Sequence, residues 1–238
     1  MVGGQQELIA YVLDLFAQQF PRRAVLRGGM VLRVLGSPRF TNDLDYIFYP
    51  CRSKKDIVDE VVACLKCIKG ARVSHSLNSK CLRAVVTVGD ATVQIEVKVS
   101  MTVKTTLAST RPVSQAFNLP PRMVLVADHA VALANKLAAW NERRLVRDLY
   151  DVWFFLQMGV KPDEETLRDR LRKPAYSRLV KPGQRFPGVS IDEFYDFLRE
   201  YACQLSDTAI AVELADYLPA DEIPGLAMQF RSAFARLR

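Results

Sequence analysis

Between Val25 and Phe48 the sequence runs VLRGGMVLRVLGSPRFTNDLDYIF, and these 24 residues admit few local structures. A short apolar step ends in Gly28-Gly29, a helical pattern covers Met30–Leu35, Gly36-Ser37-Pro38 stops it, and the apolar run LDYIF follows. A glycine pair lets the backbone turn sharply and come close to a neighbour or ligand. A helix starting at Met30 leaves its first N–H groups beside those glycines, where they suit phosphate oxygens. If LDYIF is a strand, residues two apart share a face, so Asp43 and Asp45 point the same way and can hold one cation. Carboxylate oxygens beside a phosphate cradle are the ligands Mg²⁺ takes. The stretch predicts strand, turn, helix and strand, and with them a metal-dependent nucleotidyl-transfer chemistry.

The rest of the chain divides by its hydrophobic period. Gln5–Gln19 carries a helical stripe of Leu8, Ile9, Val12, Leu13 and Phe16, stopped by Pro21. A helix is predicted at about Lys55–Ile68, then three strands at Arg72–Leu77, Leu82–Val88 and Ala91–Val99, with Asn78-Ser79 and Gly89-Asp90 as hairpin turns. In the third strand Val93, Ile95, Val97 and Val99 share one face, and Gln94, Glu96, Lys98 and Ser100 the other. Met101–Pro121 shows no clear period, and Pro120-Pro121 is read as a linker. From Val124 onward the pattern is helical, with helices at Asp128–Trp140, Arg144–Met158, Glu164–Leu171, Asp192–Leu205, about Thr208–Tyr217 and Pro224–Leu237. The expected fold is α+β. A mixed-sheet core over 1–120 precedes an all-helical domain over 121–238, with the active site in the cleft between them.

Composition removes several function classes. No apolar run approaches the length of a membrane span. The amino-terminal stretch lacks a basic region and carries Glu7 and Asp14 among its apolar residues, unlike a secretory signal. The expectation is a cytoplasmic protein with no membrane partner. The net charge of +7 suits a polyanionic partner. Cys64-x-x-Cys67 has half the spacing of a zinc site, but no second such pair follows, and the five cysteines are read as reduced packing residues. His75 and His129 have no nucleophile context, so a hydrolase triad is set aside.

Three further groups bear on chemistry. Glu96 lies on the polar face of a strand able to pair beside LDYIF, and three carboxylates on neighbouring strands are enough for two metal ions. On its own, Glu96 reads as a solvent-facing residue of an amphipathic strand; beside the Gly-Gly and Asp-x-Asp motif the catalytic reading is preferred. In KLAAWNERRLVRDLYD, helical spacing gives Lys136, Arg143 and Arg147 one broad face, with Asp148 and Asp151 a turn apart. Lys and Arg there suit a triphosphate; a helix surface laced with Arg–Asp pairs is the competing reading. Finally, Arg172, Lys173, Arg178, Lys181 and Arg185 are interleaved with Tyr176 and Phe186 in a Pro- and Gly-bounded stretch. Such a loop suits an RNA end, or is simply a solvated basic loop. Arg27 and Arg39 are candidates to face the triphosphate.

The LRGG…LR…GSPRFTNDLD stretch, the IEV strand and the K-L-x-A-x-x-x-R-x-x-x-R-D-L-Y-D helix together resemble the AbiEii/AbiGii-type nucleotidyltransferases of the DNA polymerase-β-like superfamily, over about Val25–Phe155. The resemblance implies Asp43 and Asp45 as metal ligands, Glu96 as third carboxylate and Gly28-Gly29 as phosphate turn. It further implies Lys136 as a nucleotide-phosphate contact, with Arg147, Asp148 and Asp151 supporting the site. The implied cofactors are Mg²⁺, two ions, with an NTP as substrate. Many superfamily members have Gly-Ser where this chain has Gly28-Gly29, which removes a hydroxyl contact to phosphate. The expected reaction moves an NMP from the NTP to an acceptor hydroxyl, favoured as an RNA 3′ end such as that of tRNA. A role as a toxin with an antitoxin partner accompanies the family. Nucleotidylation of a protein or small molecule, and a non-catalytic nucleotide- or RNA-binding module, are the alternatives.

Overall fold

The computed structural model describes residues 4–174 and 184–238. The chain forms two compact units, Met1–Asp128 and His129–Arg238.

The first unit opens with α1 (Gln5–Gln19), whose Leu8, Ile9, Val12, Leu13 and Phe16 are buried as their spacing predicts. There follow β1 (Ala24–Arg27), α2 (Gly29–Val34), β2 (Asp43–Phe48) and a 3-10 turn at Lys54–Asp56. The unit continues with α3 (Val58–Lys66), β3 (Arg72–Leu77), β4 (Leu82–Val88), β5 (Ala91–Val99), β6 (Thr105–Ser109), the single turn α4 (Arg111–Ser114) and β7 (Met123–Ala127). The seven strands form one sheet in the order β3-β4-β5-β2-β1-β7-β6. β2 runs parallel to β5 and β1 parallel to β7; the remaining pairs are antiparallel, so the sheet is mixed.

Alternation gives the central strands a dry and a wet face. Leu44, Tyr46 and Phe48 are buried beside Val93, Ile95 and Val97. Phe16 of α1 stacks on Tyr46 at 4.7 Å between ring centroids and meets Phe48 edge-on at 6.3 Å, so α1 covers this face. Fully burying each such side chain contributes about 1.5–3 kcal/mol, which makes a one-residue slip of β2 or β5 prohibitive. Asp43, Asp45, Gln94, Glu96 and Lys98 are thereby forced to the opposite face.

Two expectations are corrected here. The stretch 101–121 holds a strand, β6, and the residues at 123–127 are a strand rather than the start of the helical pattern. A five-residue apolar run cannot separate strand from helix by period alone. Its identity is decided by pairing, with Val25 opposite Leu125 and Leu26 opposite Val126. Because β7 belongs to the sheet, the division of the chain falls after Asp128 and not at 120.

The second unit is all-helical, as expected: α5 (His129–Arg143), α6 (Val146–Gln157), α7 (Glu164–Arg172), α8 (Ile191–Gln204), α9 (Asp207–Leu214) and α10 (Leu226–Phe234). Asp163, Ser190 and Ser206 cap α7, α8 and α9 by accepting from the N–H groups of Thr166, Glu193 and Ala209. Asp207 accepts from Gly225 and Ala227 at the start of α10, both at 2.8 Å. Buried Trp140, Phe194, Tyr195 and Phe230 fill the interior. Arg144 adopts φ 56° and breaks the helix between α5 and α6, its guanidinium lying over Trp140 and Phe197 at 4.2 and 4.4 Å. Among the described residues, no helix is long and apolar enough to cross a membrane.

Candidate active site

Register brings the expected carboxylates together on the wet face of the first unit's sheet. Asp43 lies opposite Gln94 and Asp45 opposite Glu96 in the parallel β2–β5 pair. On its other side Asp45 lies opposite Arg27, the last residue of β1. Across β4 the same row continues to Arg83, opposite Glu96. Four neighbouring strands therefore present Arg27, Asp45, Glu96 and Arg83 in line, with Lys98 two residues along β5 on the same face.

The glycine turn is tied to this row by volume. Gly28 has φ 72°, a conformation costly for other residues, and a side chain on it would collide with the Asp45 carboxylate. At Gly29 an added Cβ would lie 2.6 Å from Arg39 Nη2 and 3.0 Å from Thr41 Oγ1. A side chain at Gly29 would have to displace a guanidinium and a hydroxyl that already fill the space. Arg39 is almost wholly buried and donates from Nη1 to Phe40 O at 3.1 Å. Arg33 donates to the carbonyls of Ser37 and Pro38 from the preceding helix. Burial, and then the neighbouring Arg39 charge, lower its pKa. Thr41 donates to Asp43 Oδ1 at 2.8 Å, fixing one carboxylate beside the turn.

Glu96 is placed as expected, opposite Asp45, with its Oε1 turned to Arg83 and Gln94. Its Oε1 accepts from Arg83 Nη2 at 2.7 Å, from Arg83 Nε at 3.1 Å and from Gln94 Nε2 at 3.2 Å. Among the described residues no group of three or more His, Cys, Asp or Glu side chains is gathered for a metal. Asp43 and Asp45, by contrast, suit Mg²⁺, which is commonly held by one or two carboxylates and completed by substrate phosphates. Lys98 is half-buried; burial lowers its pKa most, then Arg27, while Asp45 and Glu96 act in the opposite sense. Arg83, Gln94, Lys98 and Thr41 were not singled out from the sequence. Arg83 was within reach: with Gly89-Asp90 as a two-residue turn, counting back along both strands sets Arg83 against Glu96.

The second unit holds the other expected group in a different state. Lys136 on α5 pairs with Asp151 at 2.5 Å and lies 3.8 Å from Asp148, both on α6. Arg143 forks onto Asp148 with contacts of 2.6, 2.8 and 3.1 Å. Asp148 and Asp151 are buried, at 1% and 0% exposure. Arg147 departs from the face expected for it. The break at Arg144 rotates α6, and Arg147 donates to the Tyr217 hydroxyl at 3.1 Å and lies over that ring. Of the basic stretch, Arg172, Lys173 and Arg185 are exposed, while Arg178 and Lys181 lie outside the described residues.

Cys51, Cys64 and Cys81 are buried as packing residues, whereas Cys67 and Cys203 are exposed. Cys64 is buried on α3, and burial, with Cys67 beside it, pushes its thiol up to about 11. His75 lies on the edge strand β3, and the His129 ring packs 6.0 Å from Phe155.

Residues 11–233 match the family of nucleotidyl transferase AbiEii toxins of type IV toxin–antitoxin systems. The chain belongs to the AbiEii family. The protein is accordingly a nucleotidyltransferase. No curated protein matches it by sequence. Among solved structures, JHP933 from Helicobacter pylori is similar at 14% identity and a TM-score of 0.54, covering 97% of this chain and 89% of that one. A candidate nucleotidyltransferase from H. pylori is similar at 13% identity and a TM-score of 0.55, covering 97% and 92%. MenT4, a nucleotidyltransferase toxin from Mycobacterium tuberculosis H37Rv, aligns at 21% identity and a TM-score of 0.49, covering 98% and 94%. The two H. pylori likenesses bear on the fold, which is shared with this AbiEii chain.

Proposed function

We propose that this AbiEii chain transfers an NMP from an NTP to the 3′ hydroxyl of an RNA such as tRNA, and that it acts as the toxin of a toxin–antitoxin pair in the cytoplasm. The observation that carries the transfer chemistry is the Asp43–Asp45 face closed against a glycine turn that leaves no room for a side chain. Asp43 and Asp45 would hold Mg²⁺, which supplies charge neutralisation for the triphosphate and the in-line phosphoryl centre. Backbone N–H groups at Gly28-Gly29 approach the phosphates closely, and Arg27 and Arg39 add cationic donors there. Arg39 takes over the contact that a serine hydroxyl makes in relatives with Gly-Ser. Glu96, with Oε1 occupied by Arg83 and Gln94, takes the acceptor proton on Oε2. Lys136 is retained as a phosphate-contacting candidate from the family signature, with Asp148, Asp151 and Arg147 in supporting positions. The RNA acceptor is supported by the basic charge of the chain.

The test is incubation of the protein with each labelled NTP, Mg²⁺, and either tRNA or cell extract. Label on the tRNA 3′ end is the expected result. Label only on protein or a small molecule overturns the RNA acceptor. Unaltered transfer and growth arrest by Asp43→Ala/Asp45→Ala overturns the catalytic assignment and leaves a binding module.

A further inference from the structure

The positive charge is not spread over the chain. Residues 1–128 carry 17 Lys and Arg against 10 Asp and Glu, whereas residues 129–238 carry 16 of each. Within the second unit, residues 190–222 hold nine Asp and Glu against Arg199 alone. A polyanion is therefore attracted to the first unit and repelled by the α8–α9 stretch of the second.

Inside the first unit, the sheet sorts charges to the two sides of Asp45. On the β1 side lie Arg27, the glycine turn and Arg39. On the β5–β4 side lie Glu96, Lys98 and Arg83, and further cations lie at the end of the sheet where β5 finishes. There the Lys54 ammonium donates to Asn78 O at 2.5 Å and Ser79 O at 3.0 Å, which binds the 3-10 turn to the β3–β4 hairpin. Exposed Lys80 sits in that hairpin, its N–H donating to Asn78 Oδ1 at 2.8 Å. The Cys51 N–H donates to Ser100 O at 2.9 Å, which brings exposed Arg52 to the same end. The run from Glu96 to Ser100 spans ~13 Å, more than one backbone phosphate needs.

We propose that the β4–β5 side of the sheet is the acceptor track: a single-stranded RNA end lies along Arg52, Lys80, Lys98 and Arg83, and its terminal hydroxyl meets Glu96 and Asp45. This rests on the RNA-acceptor reading above and moves the acceptor contacts away from Arg172, Lys173 and Arg185. The donor NTP then uses the β1 side, so the two substrates are recognised by separate sets of cations. Phosphate contacts of this kind position an RNA end without reading its sequence.

The test is fluorescence anisotropy of a short single-stranded RNA over a salt series, with the full chain, beside steady-state transfer to tRNA. For Lys80→Gln/Arg83→Gln, RNA affinity is expected to fall about tenfold and the salt slope to shrink by about 1.4, the share of two phosphates. The tRNA KM rises while the NTP KM stays, a split that a merely structural effect of these exposed side chains does not produce. Lys80→Gln alone, which has no contact with Glu96, is expected to show half the change in slope and an unchanged kcat. Wild-type transfer to RNA with affinity and KM unaltered in both variants overturns the track and leaves the RNA reading standing. So does loss of binding confined to Arg172→Gln/Lys173→Gln/Arg185→Gln. Wild-type label on protein alone, with no RNA binding, overturns both.

Discussion

The molecule holds two sets of acidic residues that its sequence presents as parts of one signature, and they live in opposite environments. Asp43, Asp45 and Glu96 lie on the wet face of a sheet, beside a backbone turn kept open by glycine. Asp148 and Asp151 are buried in a helical unit, closed over by Arg143 and Lys136. Hydrated carboxylates beside a turn can exchange their surroundings for a metal and a triphosphate at modest cost. A buried carboxylate cannot lose its cation without leaving an uncompensated charge in low dielectric. The first set is thus open to an incoming ligand. The second ties α5 to α6 with a net of charge-assisted hydrogen bonds, and any phosphate contact by Lys136 competes with Asp151.

This contrast breaks most visibly at the aspartates of the sheet. Asp43→Asn or Asp45→Asn is expected to lower transfer by about 10³–10⁴-fold, roughly 4–5.5 kcal/mol of transition-state stabilisation, with the urea midpoint unchanged. A shifted midpoint with activity retained would reverse the assignment of the two sets. Next in size, Asp151→Ala is expected to cost about 3–5 kcal/mol of stability, read from the urea midpoint at constant m. If that variant stays as stable as wild type but loses transfer, the helical unit's acids are catalytic and the contrast fails.

Gly29→Ser sharpens the picture at the turn. A serine there sets its Cβ 2.6 Å from Arg39 Nη2, so it is expected to destabilise the fold by about 1–3 kcal/mol and to raise the NTP KM. A lower KM would mean that Arg39 is no substitute for the hydroxyl.

The smallest effect belongs to Asp207, an acid outside both sets. The backbone N–H groups of Ala227 and Gly225 hold its carboxyl below the ordinary value of 3.8. A depressed folded pKa adds stability above that ordinary value, and the increment is lost as pH falls through the folded value. Asp207→Asn should therefore lower the unfolding midpoint slightly at neutral pH, and the gap to wild type should close in acid. A gap independent of pH would assign the effect to packing.

Much of this was readable before the fold was seen, and the reasons are local. The strand–turn–helix–strand unit announced itself through Gly28-Gly29 and the alternation of β2. The clean period of Ala91–Val99 put Glu96 on the polar face. The helices of the second unit followed from their apolar spacing to within a few residues. β6 and β7 escaped because such short runs have no decisive period; β7 owes its form to pairing with β1, and β6 to pairing with β7. The state of Glu96 escaped because its partner Arg83 is a neighbour across a hairpin. Arg147 escaped because one residue of left-handed backbone, Arg144, turns α6 away from the helical face that spacing alone projects.

The sequence by itself determined which atoms are available for chemistry. It sets two carboxylates one strand period apart, a turn without side chains, and a surplus of cations in the first 128 residues. These follow from backbone geometry that acts over a few residues. Only the tertiary structure decided which acids stay hydrated and which are sealed. It also decided that Arg39 and Thr41 fill the space beside Gly29, and that the cations divide to either side of Asp45. Burial, register and volume are properties of residues far apart in the chain, and they exist only once the sheet and the helices have closed.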